Sequence, residues 1–179
     1  MENIQNIEEK LAKWTGSWCL KESQNYEPFL RLNGVPEDNL EKASKAPDYH
    51  QYIFTKEGFK MYHHIPATGL ELNYFAKIGS EIVTCPYVKL SAELHSEEGK
   101  NKPVDIGKWH HWWEEGKEGV KFWTEIFQSS GRVLKFSREL IDDDNMTGYI
   151  QLWEGGVCLF DGGLRFFVKE SGDTPKLNC

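Results

Sequence analysis

Two groups of residues in this sequence could do chemistry. The first is the histidines: six occur, and four of them stand in the adjacent pairs His63-His64 and His110-His111. The second pair lies in KWHHWWEEGKEGVKFW, which holds four tryptophans in the sixteen positions 108–123. Successive side chains of a strand point to opposite faces, so each pair would send one imidazole to either side and could not easily ligate one metal. His111 and Glu115 would suit a metal on a helix, but HHWWEE has no third ligand at a convincing spacing, and no metal site is expected there. An inward histidine is better read as a hydrogen-bonding group, or as a proton carrier near neutral pH. As a strand, Trp109, His111 and Trp113 share one face and Lys108, His110 and Trp112 the other. Lys108 marks its face as the wetter, so the first stripe is expected to face inward.

The second group is a pair of arginines. In VLKFSREL, Arg138 shares a face with Leu134, Phe136 and Leu140, while Lys135, Ser137 and Glu139 take the other. A cation on an apolar face must be paired or must meet an anionic ligand, because burying it alone costs several kcal/mol. A structural ion pair and a ligand anchor both remain open for Arg138. They remain open too for Arg165, which shares its face with Phe167.

Other motifs carry less. IDDDNMTG lacks the spacing of a calcium loop and reads as a solvated hairpin turn. WEGG and FDGG are turns without the Lys-Ser/Thr of a phosphate loop, and no GxSxG nucleophile motif occurs. Cys19, Cys85, Cys158 and Cys179 are widely separated, without CxxC spacing, and read as reduced thiols of a cytoplasmic protein.

These side chains need elements to position them. The 179 residues suit one domain. Aromatics reach 13%, which requires a large interior or a large ligand site, and a net charge of −7 disfavours nucleic acid. No run approaches the 18 apolar residues of a membrane span, and the acidic first residues lack the apolar core of a signal peptide. Ile4, Ile7, Leu11 and Trp14 predict an amphipathic helix over 1–14. A helical patch with Tyr26, Phe29, Leu30 and Leu32 stops at Asn33-Gly34. A second short helix opens at Pro36 and ends before Ala46-Pro47. From Asp48 the period changes to two. Runs at 49–55, 59–65, 70–78, 87–95, 105–113, 120–128, 132–140, 146–153 and 157–168 alternate, divided by turns such as TKEG, PATG and QSSG. With the strand around Trp18 and Leu20, this predicts an all-β fold. About ten antiparallel strands would run up and down and close on themselves, since closure removes the edges. The barrel would span 15–170, followed by a tail at 171–179.

GSWCLKESQNYEPFL resembles the opening of the intracellular fatty-acid-binding proteins, a family of the calycin group. The residues that carry the likeness are Gly16, Trp18, Leu20, Asn25, Tyr26, Glu27, Phe29 and Leu30, with Asn33-Gly34-Val35 at the turn between two helices. It covers roughly residues 14–170 and implies a ten-stranded antiparallel barrel with a helix–turn–helix lid. A single apolar carboxylate would lie inside, held by two arginines and a tyrosine. On this sequence those positions are Arg138, Arg165 and Phe167, with Tyr26, Phe29 and Leu30 lining the lid. Four departures stand out. Phe167 lacks the hydroxyl, the interval from Gly156 to Arg165 is longer than the family's, the segment 79–121 is longer too, and the N-terminal helix is additional.

The leading expectation is a monomeric carrier or store for a small hydrophobic or amphipathic ligand, such as a fatty acid or retinoid, with no cofactor and no stable membrane insertion. Exchange would pass the lid and the turn at Pro66–Gly69. The alternative is a cofactor-independent barrel enzyme, such as a luciferase oxidising a bound aromatic luciferin. A third reading is a pigment carrier.

Overall fold

Alternation of buried and open positions sets the inner face of the sheet. On one strand Phe122, Thr124 and Ile126 are buried between half-buried neighbours, and on another Met146, Gly148, Ile150 and Leu152 repeat the pattern. The computed structural model describes residues 9–10, 12–55, 58–66, 70–77, 83–87, 105–115 and 120–170. In chain order the elements are β1 (Gly16–Gln24), α1 (Glu27–Leu32), α2 (Glu37–Ser44), β2 (Tyr49–Thr55), β3 (Gly58–Ile65), β4 (Leu70–Lys77) and β5 (Val83–Tyr87). They continue with β6 (Asp105–Glu115), β7 (Val120–Phe127), β8 (Arg132–Leu140), β9 (Asn145–Glu154) and β10 (Val157–Lys169).

All the strands join one antiparallel sheet in the order β4-β3-β2-β1-β10-β9-β8-β7-β6-β5. The first strand therefore pairs with the last, and the sheet curls. Its two ends are β4 and β5, consecutive in the chain, and among the described residues no ladder joins them. The closure expected from sequence is thus interrupted by one seam. Pro86 lies in β5, a strand at the end of the sheet, which is where a proline is tolerated. A strand is described at VTCPY, and the run expected at 87–95 lies, beyond Tyr87, outside the described residues. So do the tail at 171–179, the turn residues 67–69 and most of the first helix, which is helical at 9–10 and 12–14.

The long interval before Arg165 is taken up inside β10, which carries two bulges, between Cys158 and Phe160 and between Asp161 and Gly163. Each bulge inserts a residue and shifts the inward parity. Phe160 is buried, as are Gly163 and Phe167 beyond the second bulge, with Arg165 between them only 12% exposed at its side chain. Gly162 takes φ +128°, a conformation that favours glycine, at that second bulge.

Over the sheet sit the two short helices. Pro28 lies in the first turn of α1, and Asn33 closes it, its Nδ2 donating to the Phe29 carbonyl at 2.7 Å. Gly34 turns the chain at φ +83°, and Glu37 and Asp38 open α2 against its helix dipole. Phe29, Leu30 and Leu40 are buried. Phe29 rests on Phe160 of β10 with ring centroids 5.8 Å apart, and Arg132 Nη1 of β8 donates to the Leu32 carbonyl at 3.0 Å. The N-terminal helix also reaches the core. Trp14 is 2% exposed and touches Phe54 and the inward Phe122, and its carbonyl accepts from Trp18 Nε1 at 3.1 Å.

Candidate functional site

Strand register brings the two arginines to one rung. Arg138 of β8 and Arg165 of β10 are both paired with Gly148 of β9, the strand between them. The row continues through Phe122 of β7 to Trp113 of β6. Gly148 carries no side chain between the arginines, and a Cβ there would lie against Phe167 Cε2 at 3.4 Å.

On the β8 side, Arg138 is 8% exposed. Its Nη1 donates to Thr124 Oγ1 at 3.2 Å, and its guanidinium lies 5.7 Å from the Tyr52 ring and 5.5 Å from the Phe136 ring. Thr124 Oγ1 also bonds His111 Nδ1 at 3.1 Å. His111 is fully buried, stacks on Phe122 at 5.7 Å with planes 6° apart, and leans on Trp109 at 5.9 Å. Burial pushes its pKa down to about 3, with Arg138 and His110 adding to the effect, so His111 is neutral. No carboxylate pairs with Arg138 among the described residues.

The β10 side is different. Arg165 Nη1 donates to Asp48 Oδ2 at 2.6 Å. Its guanidinium lies 4.9 Å from the Tyr26 ring of the α1 entrance and 5.4 Å from the Phe167 ring. Asp48 is 3% exposed, and its Oδ1 lies 2.6 Å from His63 Nε2 and 3.1 Å from His50 Nε2. Burial opposes a charge on Asp48, but His63, His50 and Arg165 outweigh it and hold the carboxyl well below its usual range. His50 is buried and its pKa falls to about 3. Its Nδ1 bonds the Tyr52 hydroxyl at 2.9 Å. Burial raises that phenol to about 12, against the pull of Arg138. Tyr52 and His50 thus link the two arginines through one buried chain of polar groups.

The residues singled out in the sequence divide accordingly. Tyr26, Phe29 and Leu30 are buried under α1, with Tyr26 stacked on Phe29 at 5.2 Å. Trp109 and His111 face in, while Lys108 is exposed and His110 and Trp112 stack on each other on the outer face, 5.0 Å apart. The backbone of Trp113 continues that inward stripe, but its side chain lies outside what the structure describes. Phe167 is buried, edge-on to His50 at 5.1 Å. Arg138 stands in the Trp109–His111 cluster, and Arg165 stands apart, answered by an acid of the chain itself.

Sequence reasoning missed Asp48, His50 and Tyr52, and singled out His63 only as one of an adjacent pair. A signal was present. The TKEG turn pairs Thr55 with Gly58, and stepping back along that hairpin sets His50 opposite His63. Asp48, two residues earlier, falls on the same face as His50.

A curled antiparallel sheet, its first strand paired with its last and two short helices after β1, is the fold of the fatty-acid-binding proteins. No family model matches the sequence, and no curated protein matches it in sequence comparison. Solved structures do. Fatty-acid-binding protein 1 of Echinococcus granulosus superposes with a TM-score of 0.63 at 12% identity, over 89% of this chain and 99% of that one. The Schistosoma mansoni fatty acid binding protein in complex with arachidonic acid gives 0.63 at 15%, over 90% and 99%. A secretary abundant heat soluble protein of Ramazzottius varieornatus gives 0.63 at 13%, over 89% and 96%. No helix among the described residues is long and apolar enough to cross a membrane.

Proposed function

We propose that this chain binds one small amphipathic molecule with an anionic end inside the curled sheet. Arg138 holds the anion, and α1 and α2 serve as the lid of a ten-stranded barrel. One observation carries the reading: Arg138 is a buried guanidinium with no carboxylate partner among the described residues. A hydroxyl and two ring faces compensate a full charge poorly, and an incoming carboxylate would complete it. Arg165 needs no such ligand, because Asp48 already neutralises it. The anchor is therefore one arginine, not two. Aromatic groups around Arg138, namely Trp109, Phe122, Tyr52 and Phe136, would cover the apolar body of the ligand. The fold neighbours include proteins named for fatty-acid binding, one of them in complex with arachidonic acid. The thiols of Cys19 and Cys158 are free, which suits carriage or storage in a reducing cytoplasm.

The test compares a long-chain fatty acid with its methyl ester by displacement of a fluorescent probe. The wild-type chain should prefer the acid. Arg138→Met should weaken the acid by about 2–5 kcal/mol, roughly 30- to 5000-fold, and leave the ester nearly unchanged. The ligand-free R138M protein should also melt higher, because an uncompensated buried charge has gone. Equal binding of the acid by both proteins would refute the anchor.

A further inference from the structure

We propose that Asp48, His50 and His63 form a site for one divalent transition-metal ion, with zinc the best fit. One ligand atom from each lies within 4.8 Å of the others. His50 and His63 face each other directly on the β2–β3 ladder, and Asp48 lies immediately before β2. Two imidazoles and one carboxylate are a donor set for a borderline first-row ion. They do not suit calcium or magnesium, which want a shell of oxygens.

The independent sign is the state of His50. Its side chain is 5% exposed and its Nδ1 is bound to the Tyr52 hydroxyl. That leaves Nε2 facing Asp48 Oδ1 at 3.1 Å without the alignment of a hydrogen bond. A buried imidazole nitrogen and a carboxylate oxygen set side by side is an arrangement that a cation between them resolves. The surroundings match an outer shell: Tyr52 fixes the ring of His50, and Arg165 holds Oδ2 and leaves Oδ1 for the metal.

Zinc bonds of about 2.0–2.1 Å in a tetrahedron place ligand atoms roughly 3.4 Å apart. The His50–Asp48 distance of 3.1 Å is close to this, while the His63–Asp48 distance of 2.6 Å must open. His63 is the most exposed of the three, and its stacking on His50 at 4.1 Å must loosen as it moves. In the metal-free state a proton bridges His63 Nε2 and Asp48. On binding it must pass to Nδ1 or to solvent, so that the Nε2 lone pair meets the metal. Three protein ligands leave a fourth position. With Arg165 and a dication present against one carboxylate, that position favours an anion.

The experiment is titration of chelator-stripped full-length chain with zinc by calorimetry, and with cobalt(II) by visible absorption. One equivalent should bind, and cobalt should show tetrahedral d–d bands without a thiolate charge-transfer band. His50→Gln and His63→Gln should each weaken binding by more than the roughly 10- to 100-fold that loss of an outer-shell partner costs. His64→Gln, on the outer face, should change nothing. If H50Q does not fold, the half-buried H63Q decides. No stoichiometric binding by the wild type, a thiolate band, or unchanged affinity in H63Q overturns the site.

Discussion

Acid should destabilise this protein well before its carboxylates titrate, and His111 should be a main cause. Its folded pKa is pushed down to about 3 from 6.5, first by burial, then by Arg138 and His110. The unfolded chain therefore takes up the proton first. Stability is full above about pH 6.5 and drains as pH falls from there toward 3. At pH 5 the unfolded histidine is almost fully protonated and the folded one is not, a loss of about 2 kcal/mol relative to neutral pH. His50 shifts in the same direction to about 3, so the metal-free protein should lose about 4 kcal/mol in all, against a typical stability of roughly 5–15. For a chain of this size each kcal/mol is worth roughly 2–4 °C, so the melting temperature should fall by about 8–16 °C between pH 7 and pH 5. The test is His111→Phe, which keeps a flat ring against Phe122 and removes the titration. Thermal unfolding of both proteins at pH 7 and pH 5, in chelator, should show the acid-induced loss cut by about half in H111F. His110→Gln, altering the outer member of the pair, should keep most of it. If H111F loses as much as the wild type, neutral burial of His111 is wrong.

Two further outcomes follow from the same packing. Asp48→Asn leaves Arg165 buried without its counter-charge and should cost about 3–5 kcal/mol in urea unfolding, with D48N/R165M recovering most of it; no recovery in the double variant would place the stabilising role of Asp48 elsewhere. Trp14→Ala should cost about 3–5 kcal/mol, because the ring fills space against Phe54 and Phe122, and a cost under about 1 kcal/mol would mean the first helix is not part of the core.

The fold was largely legible because its signals are local. Period-two alternation and glycine turns mark β2–β4 and β6–β10, and Pro36 with Glu37 and Asp38 marks α2. The fifth strand was not, since VTCPY is short and its proline argues against a strand, except at the end of a sheet. Of the candidate site, the inward stripe of Trp109 and His111 follows from alternation together with Lys108 on the opposite face. The partner of Arg165 does not. Asp48 lies 117 positions away in sequence, and only the β1–β2 and β1–β10 ladders carry it across. The bulges of β10 are also invisible as such: the sequence shows surplus residues before Arg165, and the structure shows where they are unpaired.

The proposed anion site has a rationale in the rung through Gly148. Two free guanidiniums flanking a glycine strand would sit about 9.6 Å apart at the backbone and repel each other in a poorly solvated interior. Asp48 removes one charge, and the ring of Phe167 covers the face of the arginine it neutralises. A phenylalanine at 167 offers no donor to a second carboxylate, so nothing on the β10 side rewards one beyond what Asp48 supplies. Across Gly148 the balance is reversed. Arg138 faces a threonine hydroxyl, aromatic rings and a neutral histidine. The net buried charge of the rung is then that of Arg138 alone, and a single ligand carboxylate would make it neutral.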